Sequence, residues 1–98
     1  MTFTVIKSIK AIDDFDRLSP EQQCAVEADY DIIQSNGIEF VKRRFLQDGI
    51  FEIKTGNIRS LFKFEENQII IIGLIYIKKT QQTPKQILRL AKRRLAEE

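Results

Sequence analysis

The most pronounced hydrophobic pattern in the chain lies between residues 68 and 77. This segment contains eight Ile, Leu or Tyr residues around one glycine, Gly73. A run of that length, rich in β-branched side chains, is typical of a central strand that is covered on both faces. It is too short to cross a membrane. We therefore expect it to form the middle of a sheet.

Two segments before this run alternate between apolar and polar residues. In the first, which begins at Phe51, Glu52 and Lys54 fall on one face of the predicted strand. In the second, Arg59 and Lys63 share one face, because successive side chains of a strand point to opposite sides. The pattern predicts a small, twisted antiparallel sheet with one buried face and one basic, partly exposed face.

Turn and capping residues divide the rest of the chain. Residues 55–57, Thr-Gly-Asn, have turn chemistry and join the two alternating strands as a hairpin. Ser19 and Pro20, followed by Gln22, form a capping-box signal that begins a helix, and Asn36-Gly37 is expected to end it near residue 35. Before the sheet, the pattern predicts an edge strand over residues 2–9, a short amphipathic helix around residues 12–18 and a strand or irregular connector over residues 38–47. Turns are predicted at 48–49 and 65–67, and a polar loop over 78–82. A final helix begins with a second capping box at Thr83 and ends near residue 96.

This order of elements predicts a single α+β domain over residues 1–98. A chain of 98 residues with 43% hydrophobic and 31% charged residues suffices for one core and is too short for two. No leading segment resembles an export signal, and the single Cys24 is compatible with a reducing compartment, so we expect a cytoplasmic protein. We expect Cys24 to pack near the apolar stripe of the second predicted helix. That stripe consists of Ala25, Val26, Tyr30, Ile32 and Ile33.

The absence of histidine narrows the possible chemistry. It excludes Ser-His and Cys-His nucleophilic catalysis, and it excludes histidine metal sites. One cysteine cannot supply a zinc cluster. We therefore predict that the protein uses no metal and no other cofactor.

Charge is divided unevenly along the chain. Residues 1–41 hold three basic and eight acidic residues, a net charge of −5, whereas residues 42–98 hold 13 basic and six acidic residues, a net charge of +7. This asymmetry favours a polyanion or an acidic protein as partner of the second half. A solvated basic face without a partner is the alternative.

The residues from Asp48 to Lys54, the arginine at Arg59 and the segment 77–84 together resemble the RelE/ParE superfamily, with the phage-derived HigB-like branch closest. The order and spacing of these segments carry the resemblance, which covers residues 48–92 best. It implies a RelE-like sheet packed by two amino-terminal helices and a carboxy-terminal helix. It also implies the toxin of a type II toxin–antitoxin pair that cleaves mRNA, usually in the ribosomal A site.

The implied partners are mRNA, the ribosome and a small helix-turn-helix antitoxin similar to HigA, with which a heterotetramer is possible. No membrane is involved. Two alternatives remain open on the same scaffold. One is a ParE-like protein that poisons DNA gyrase without being a nuclease, and the other is a non-catalytic domain that only binds an antitoxin.

Metal-independent RNA cleavage requires a deprotonated 2′-hydroxyl, a stabilised pentacoordinate phosphate and a protonated leaving oxygen. We assign transition-state stabilisation to Arg59, because a guanidinium keeps its charge and can bind phosphate bidentately. Lys54 is the candidate base or phosphate clamp, and Lys79 is the candidate acid, supported by Lys78. Glu52 is a candidate to orient a lysine or to act as a carboxylate base. The residues assigned to RNA binding are Lys63, Lys78, Lys85 and Arg89.

The chain departs from the RelE pattern at two positions. Glu52 stands where better-known RelE nucleases carry a second lysine. No tyrosine follows Tyr76, and the region where relatives use one offers Lys85. We expect Arg59→Ala to abolish growth inhibition with little change in melting temperature.

Overall fold

The computed structural model describes residues 2–79 and 83–97. Residues 80–82, part of the predicted polar loop, lie outside the described residues. Within the described residues, five strands and three helices form an α+β fold, as the sequence predicts. In chain order they are β1 (Thr4–Lys7), α1 (Ile9–Asp16), α2 (Pro20–Ser35), a short 3-10 helix (Ile38–Phe40), β2 (Arg43–Gln47), β3 (Ile50–Thr55), β4 (Ile58–Glu65), β5 (Ile69–Ile77) and α3 (Lys85–Ala96).

The five strands form one sheet in the order β1-β5-β4-β3-β2. Strands β2 to β5 are antiparallel neighbours, as predicted, but β1 lies parallel to β5. The sheet is therefore mixed rather than purely antiparallel. Parallel neighbours need a long connection, and the helices and three strands between β1 and β5 supply it.

Tight turns hold the antiparallel strands in register. Thr55 pairs with Ile58, so the loop between β3 and β4 has only two residues, Gly56 and Asn57. Gly56 has a φ of 60°, the left-handed conformation that such a turn requires at its first position. This loop brings the ends of β3 and β4 together at one end of the sheet.

Side-chain caps begin the first two helices. The Ser19 hydroxyl accepts from the Gln22 backbone N–H at 3.1 Å, and the Gln22 side chain accepts from the Ser19 N–H at 2.9 Å, which confirms the predicted capping box. At the start of α1, the Ser8 hydroxyl accepts from the Ala11 backbone N–H at 3.2 Å. The second predicted capping box is wrong: Pro84 is the N-cap of α3, without a side-chain hydrogen bond. Thr83 instead donates its hydroxyl to Glu52 Oε2 at 3.2 Å.

Helices α1 and α2 cover one face of the sheet with the larger core. Its buried members include Val26, Ile33 and Phe62, each fully excluded from solvent. The Tyr30 hydroxyl crosses this core to donate to Ser60 Oγ at 2.7 Å, and burial raises the pKa of Tyr30 well above its ordinary value. The remaining buried residues of this core are Ala11, Leu18, Tyr30, Val41, Ile53, Ile58, Ile70, Ile72 and Ile75.

Three α2 residues that are predicted to lie on or near its apolar stripe are exposed. Ala25 and Ile32 lie on the solvent side, and Cys24 is exposed rather than packed. Tyr30 and Ile33 carry the buried stripe together with Val26, because these positions follow the helical period toward the sheet. None of the helices within residues 2–79 and 83–97 is both long and apolar enough to span a membrane.

Helix α3 covers the opposite face with a smaller core. Its buried members are Ile50, Leu61, Leu74, Ala91 and Leu95. The basic face of the sheet is partly exposed, as the pattern predicts: α3 buries Leu61 and Leu74, while the cations on the same strands are half-buried.

Gly73 sets how closely α3 approaches β5. It is the extra residue of a β-bulge, since Leu61 pairs with Leu74 while Phe62 pairs with Ile72. A Cβ atom at Gly73 would lie 2.7 Å from the Cγ atom of Leu95. Only glycine permits this contact without a shift of the helix or of the Leu95 side chain.

Candidate functional site

A groove lies at the end of the sheet where the β3–β4 turn meets the ends of β2 and β5. Its volume is about 630 Å³. Four residues selected from the sequence contribute to it together: Lys54, Arg59, Lys78 and Lys79. Among the described residues, the lining consists of Arg44, Lys54, Gly56, Asn57, Arg59, Lys78 and Lys79.

Strand register explains why these distant residues meet. Lys54 and Arg59 are directly paired across the β3–β4 hairpin, one position before its turn. Arg59 is also paired with Tyr76 of β5. The Lys78 backbone N–H donates to the Asn57 carbonyl at 2.7 Å, which holds the chain after β5 against the turn. The two lysines that follow β5 therefore reach the same groove.

Arg59 is held firmly at the groove wall. Its Nη1 donates to the carbonyl oxygens of Gly56 at 2.6 Å and Ile58 at 3.2 Å. Only 14% of its side chain is exposed. A guanidinium fixed in this way loses little further conformational entropy when it binds an anion.

Glu52 forms the floor beneath the arginines. Its side chain is completely buried, with Oε1 lying 3.5 Å from Arg44 Nε and 3.9 Å from Arg59 Nε. Glu52 shares the strand face of Lys54, as predicted, but that face is covered here by the start of α3. The carboxylate therefore contacts two arginines and Thr83 rather than a lysine.

The charged side chains that line the groove are all cations. Loss of hydration lowers the pKa of Lys78 below its ordinary value, and the positive charges of Arg44, Arg59 and Lys54 lower it further. The buried Glu52 carboxylate opposes this shift. A lysine with a lowered pKa gives up its proton more readily, so Lys78 is suited to proton transfer.

Tyr76 lies beside the groove on β5, directly opposite Arg59. Burial raises the pKa of the Tyr76 hydroxyl, and the nearby Thr83 hydroxyl and the arginines oppose the shift. The hydroxyl oxygen itself is inaccessible to solvent. Tyr76 therefore belongs to the wall under the groove, in agreement with a packing role.

Three predicted RNA-binding residues lie elsewhere. Lys63 points to the end of α3, donating to the Leu95 carbonyl at 2.7 Å, and forms an ion pair with Glu65. Lys85 and Arg89 line a second groove of about 350 Å³ between α3 and the β2–β3 turn. The structure thus separates these cations from the groove around Arg59.

Arg44 is the groove residue that sequence reasoning missed. It lies next to Lys42 and Arg43, in the segment 38–47, whose pattern fits either a strand or an irregular connector. It pairs with Glu52 because a bulge shifts the register between Phe45 and Gln47. The basic triplet was a usable signal, but no sequence feature revealed the bulge.

No cluster of three or more His, Cys, Asp or Glu side chains suited to a metal ion occurs within residues 2–79 and 83–97. The groove offers ammonium and guanidinium groups instead. These groups bind phosphate oxygens, stabilise negative charge and exchange protons.

Comparisons with known proteins agree with this fold. Residues 13–96 match the model of the phage-derived Gp49-like protein family, so the chain belongs to that family. A comparison with curated protein sequences gave no match.

Solved structures of RelE proteins share the fold. A chain of the toxin–antitoxin complex RelBE2 from Mycobacterium tuberculosis superposes with a TM-score of 0.65 at 19% identity, covering 80% of this chain and 100% of that one. A chain of the archaeal RelE–RelB complex from Pyrococcus horikoshii gives 0.63 at 14% identity, covering 80% and 97%. The isolated Escherichia coli RelE toxin gives 0.60 at 11% identity, covering 94% and 98%. The predicted RelE-like fold is thereby confirmed.

Proposed function

We propose that this protein is the toxin of a type II toxin–antitoxin pair and that it is an endoribonuclease acting on mRNA. The observation that carries the proposal is the groove in which two arginines and three lysines converge without an exposed acid among its lining residues. The likeness to RelE proteins from toxin–antitoxin complexes supports the biological class.

The reaction we propose needs only the groups in the groove. The 2′-oxygen of one nucleotide forms a bond to the adjacent phosphorus, the bond from phosphorus to the 5′-oxygen breaks, and a 2′,3′-cyclic phosphate results. Arg59 and Arg44 stabilise the charge that develops on the phosphate oxygens. One lysine takes the 2′-proton and another supplies a proton to the 5′-oxygen.

The proton-transfer roles fall to the lysines of the groove. Lys78, whose pKa is lowered, is our first candidate for the base. Lys79 remains the candidate acid, and Lys54, which pairs with Arg59 across the hairpin, is the candidate phosphate clamp. Lys78 thus takes a direct role instead of the supporting one given to it from sequence.

We propose a protein antitoxin as the partner, by analogy with the RelE–RelB complexes. The HigB-like resemblance favours a HigA-like helix-turn-helix protein that assembles with the toxin as a heterotetramer. The remaining proposals are that cleavage takes place on the ribosome and that the protein acts in the cytoplasm. Ribosome profiling during expression would test the first, since cleavage at the A site leaves fragments that end within the ribosome.

The decisive variant is Arg59→Lys, which keeps a cation beside Glu52 but removes the bidentate fork. We expect RNA cleavage and growth inhibition to fall about 10²–10³-fold, because one donor to the developing charge is lost. Contrary to the prediction from sequence, we expect Arg59→Ala to lower the melting temperature, because alanine would leave the buried Glu52 carboxylate without one of its ion-pair partners. Lys10→Ala, an exposed cation on α1, is the matched control and should retain full activity.

Expression of the wild-type protein separates the proposal from its alternatives. Cut transcripts and rapid loss of translation are expected. DNA damage with filamentation and intact transcripts would instead support a ParE-like gyrase poison. Growth without any inhibition, from a folded protein that binds its antitoxin, would support the non-catalytic domain.

A further inference from the structure

Glu52 is an unusual component of an anion-binding groove. A carboxylate beneath five cations weakens the attraction of the groove for phosphate, and burying it completely carries a large desolvation cost. A position that served only to fill space could be occupied by an apolar residue at lower cost. The contacts of Glu52 therefore need a separate explanation.

The two oxygens of Glu52 hold different parts of the structure. Oε2 accepts from the Thr83 hydroxyl, which connects the residue before the N-cap of α3 to the buried carboxylate. Oε1 faces the Nε atoms of both Arg44 and Arg59 at ion-pair distances. Within residues 2–79 and 83–97, neither Oε1 nor Arg59 Nε has a hydrogen-bond partner, so these two contacts are ion pairs alone. The carboxylate is thus the only charge of opposite sign beside two adjacent guanidinium groups there.

The same geometry argues against proton abstraction by Glu52. A general base must come within about 2.6–3.2 Å of the proton that it removes, directly or through one water. Glu52 has no exposed surface and is not among the residues that line the groove, whereas Arg44 and Arg59 are. A substrate hydroxyl in the groove would meet the arginines and lysines first.

We propose that Glu52 is a positioning residue: it holds the guanidinium groups of Arg44 and Arg59 side by side against their mutual repulsion, and Thr83 fixes its orientation. This inference rests on the proposed nuclease function and deepens it. The arginine pair would otherwise separate, because like charges at close range repel in a site of low dielectric. A pair held in place can contact two oxygens of one phosphate.

The test is Glu52→Gln, which preserves shape and the acceptor for Thr83 while removing the charge. We expect kcat on a short RNA to fall about 10–100-fold, since a small displacement of the stabilising groups is costly. We expect KM to stay equal or to decrease, because the groove gains net positive charge. The acid limb of the pH–rate profile should remain where it is in the wild type. Glu65→Gln, which removes a partly exposed carboxylate from β4, is the control and should leave kcat unchanged.

Each other outcome counts against the inference. An unchanged kcat would mean that the arginines hold their positions without Glu52. If Glu52→Gln loses both kcat and the acid limb of the pH–rate profile, Glu52 is the general base. An increase in KM with constant kcat would show a contribution to binding alone.

Two further measurements do not depend on catalysis. In NMR spectra, the Arg59 Nε–H signal should be protected from solvent exchange in the wild type and lose protection in Glu52→Gln. Affinity for an oligonucleotide with a 2′-deoxy substitution at the cleavage site should be retained in the same variant. A wild type that cleaves no RNA would refute the proposed function, while unchanged protection in the variant would refute the positioning role separately. Thr83→Val, which keeps the charge and removes only the hydroxyl contact, should reduce protection to a smaller degree and serves if Glu52→Gln does not fold.

Discussion

The two faces of the sheet differ in the kinds of residues that they bury. Under α1 and α2, the core is broad and apolar, and a buried hydrogen bond within it joins Tyr30 to Ser60. Under α3, the core is a small patch of five buried residues, and it borders the buried charge of Glu52. The first face has the packing that stabilises a domain, whereas the second supports the charged groove.

This difference indicates which face of the sheet can accommodate buried charge. A buried carboxylate and two arginines are costly, and a chain of this size has little free energy of unfolding to lose. The broad core under α1 and α2 supplies the stability that such a site requires. We therefore expect substitutions on the first face to change stability, and those on the second face to change activity as well.

The largest effect on stability is expected for Ile33→Ala on α2. Ile33 is fully buried against the sheet, so its truncation should lower the free energy of unfolding by about 2–5 kcal/mol. Chemical denaturation measures the change, and kcat per folded molecule should stay constant. Ile32→Ala, one residue earlier and 36% exposed, is the control and should cost far less. A large loss of kcat in folded Ile33→Ala would break the division between the faces.

A smaller but more informative effect is expected for Gly73→Ala. The new methyl group would lie 2.7 Å from Leu95 Cγ, and overpacking of this kind costs about 1–3 kcal/mol. Because Thr83 leads into α3 and contacts Glu52, displacement of the helix should also lower RNA cleavage. The expected result is therefore a combined loss, in contrast to Ile33→Ala.

A double-mutant cycle checks the cause. Combining Gly73→Ala with Leu95→Ala should cost less than the sum of the two single variants, because the collision disappears with the larger side chain. Strict additivity would mean that the methyl group is accommodated without moving α3. Unchanged cleavage by folded Gly73→Ala would separate the position of α3 from the chemistry.

Much of the fold could be predicted because local signals were strong. The apolar run of β5, the capping box at Ser19 and the turn at Gly56 each had one dominant interpretation. The parallel placement of β1 could not be predicted from local pattern, since either direction buries the same alternating residues. The cover provided by α3 agrees with the fold that the RelE resemblance implies, although the charged residues of the strands it covers give no local sign of it.

The groove was predictable to the extent that strand alternation applied. Lys54 and Arg59 lie one position outside a two-residue turn, so their pairing follows from the register of the hairpin. Arg44 enters through a bulge, and the burial of Glu52 depends on a helix that packs across the sheet. Those two features are set by tertiary packing, which periodicity alone does not encode.

The smallest effects are expected in the second groove of the α3 face. Lys85 and Arg89 are exposed there and lie apart from the lining of the first groove. If they follow the RNA backbone beyond the cleavage site, Lys85→Ala and Arg89→Ala should each reduce the salt dependence of RNA binding by about 0.7 in the log–log slope. Each should weaken affinity only several-fold and leave kcat unchanged, because a distant phosphate contact positions the strand without touching the reacting atoms.

Lys92 provides the matched control for that measurement. It lines the same groove but forms an ion pair with Asp48 at 3.1 Å, so less of its charge is available to RNA. Lys92→Ala should therefore change the slope less than either other variant. Equal slopes in all three variants and the wild type would mean that this basic groove is only solvated, and that the α3 face binds RNA solely at its end, around Arg59.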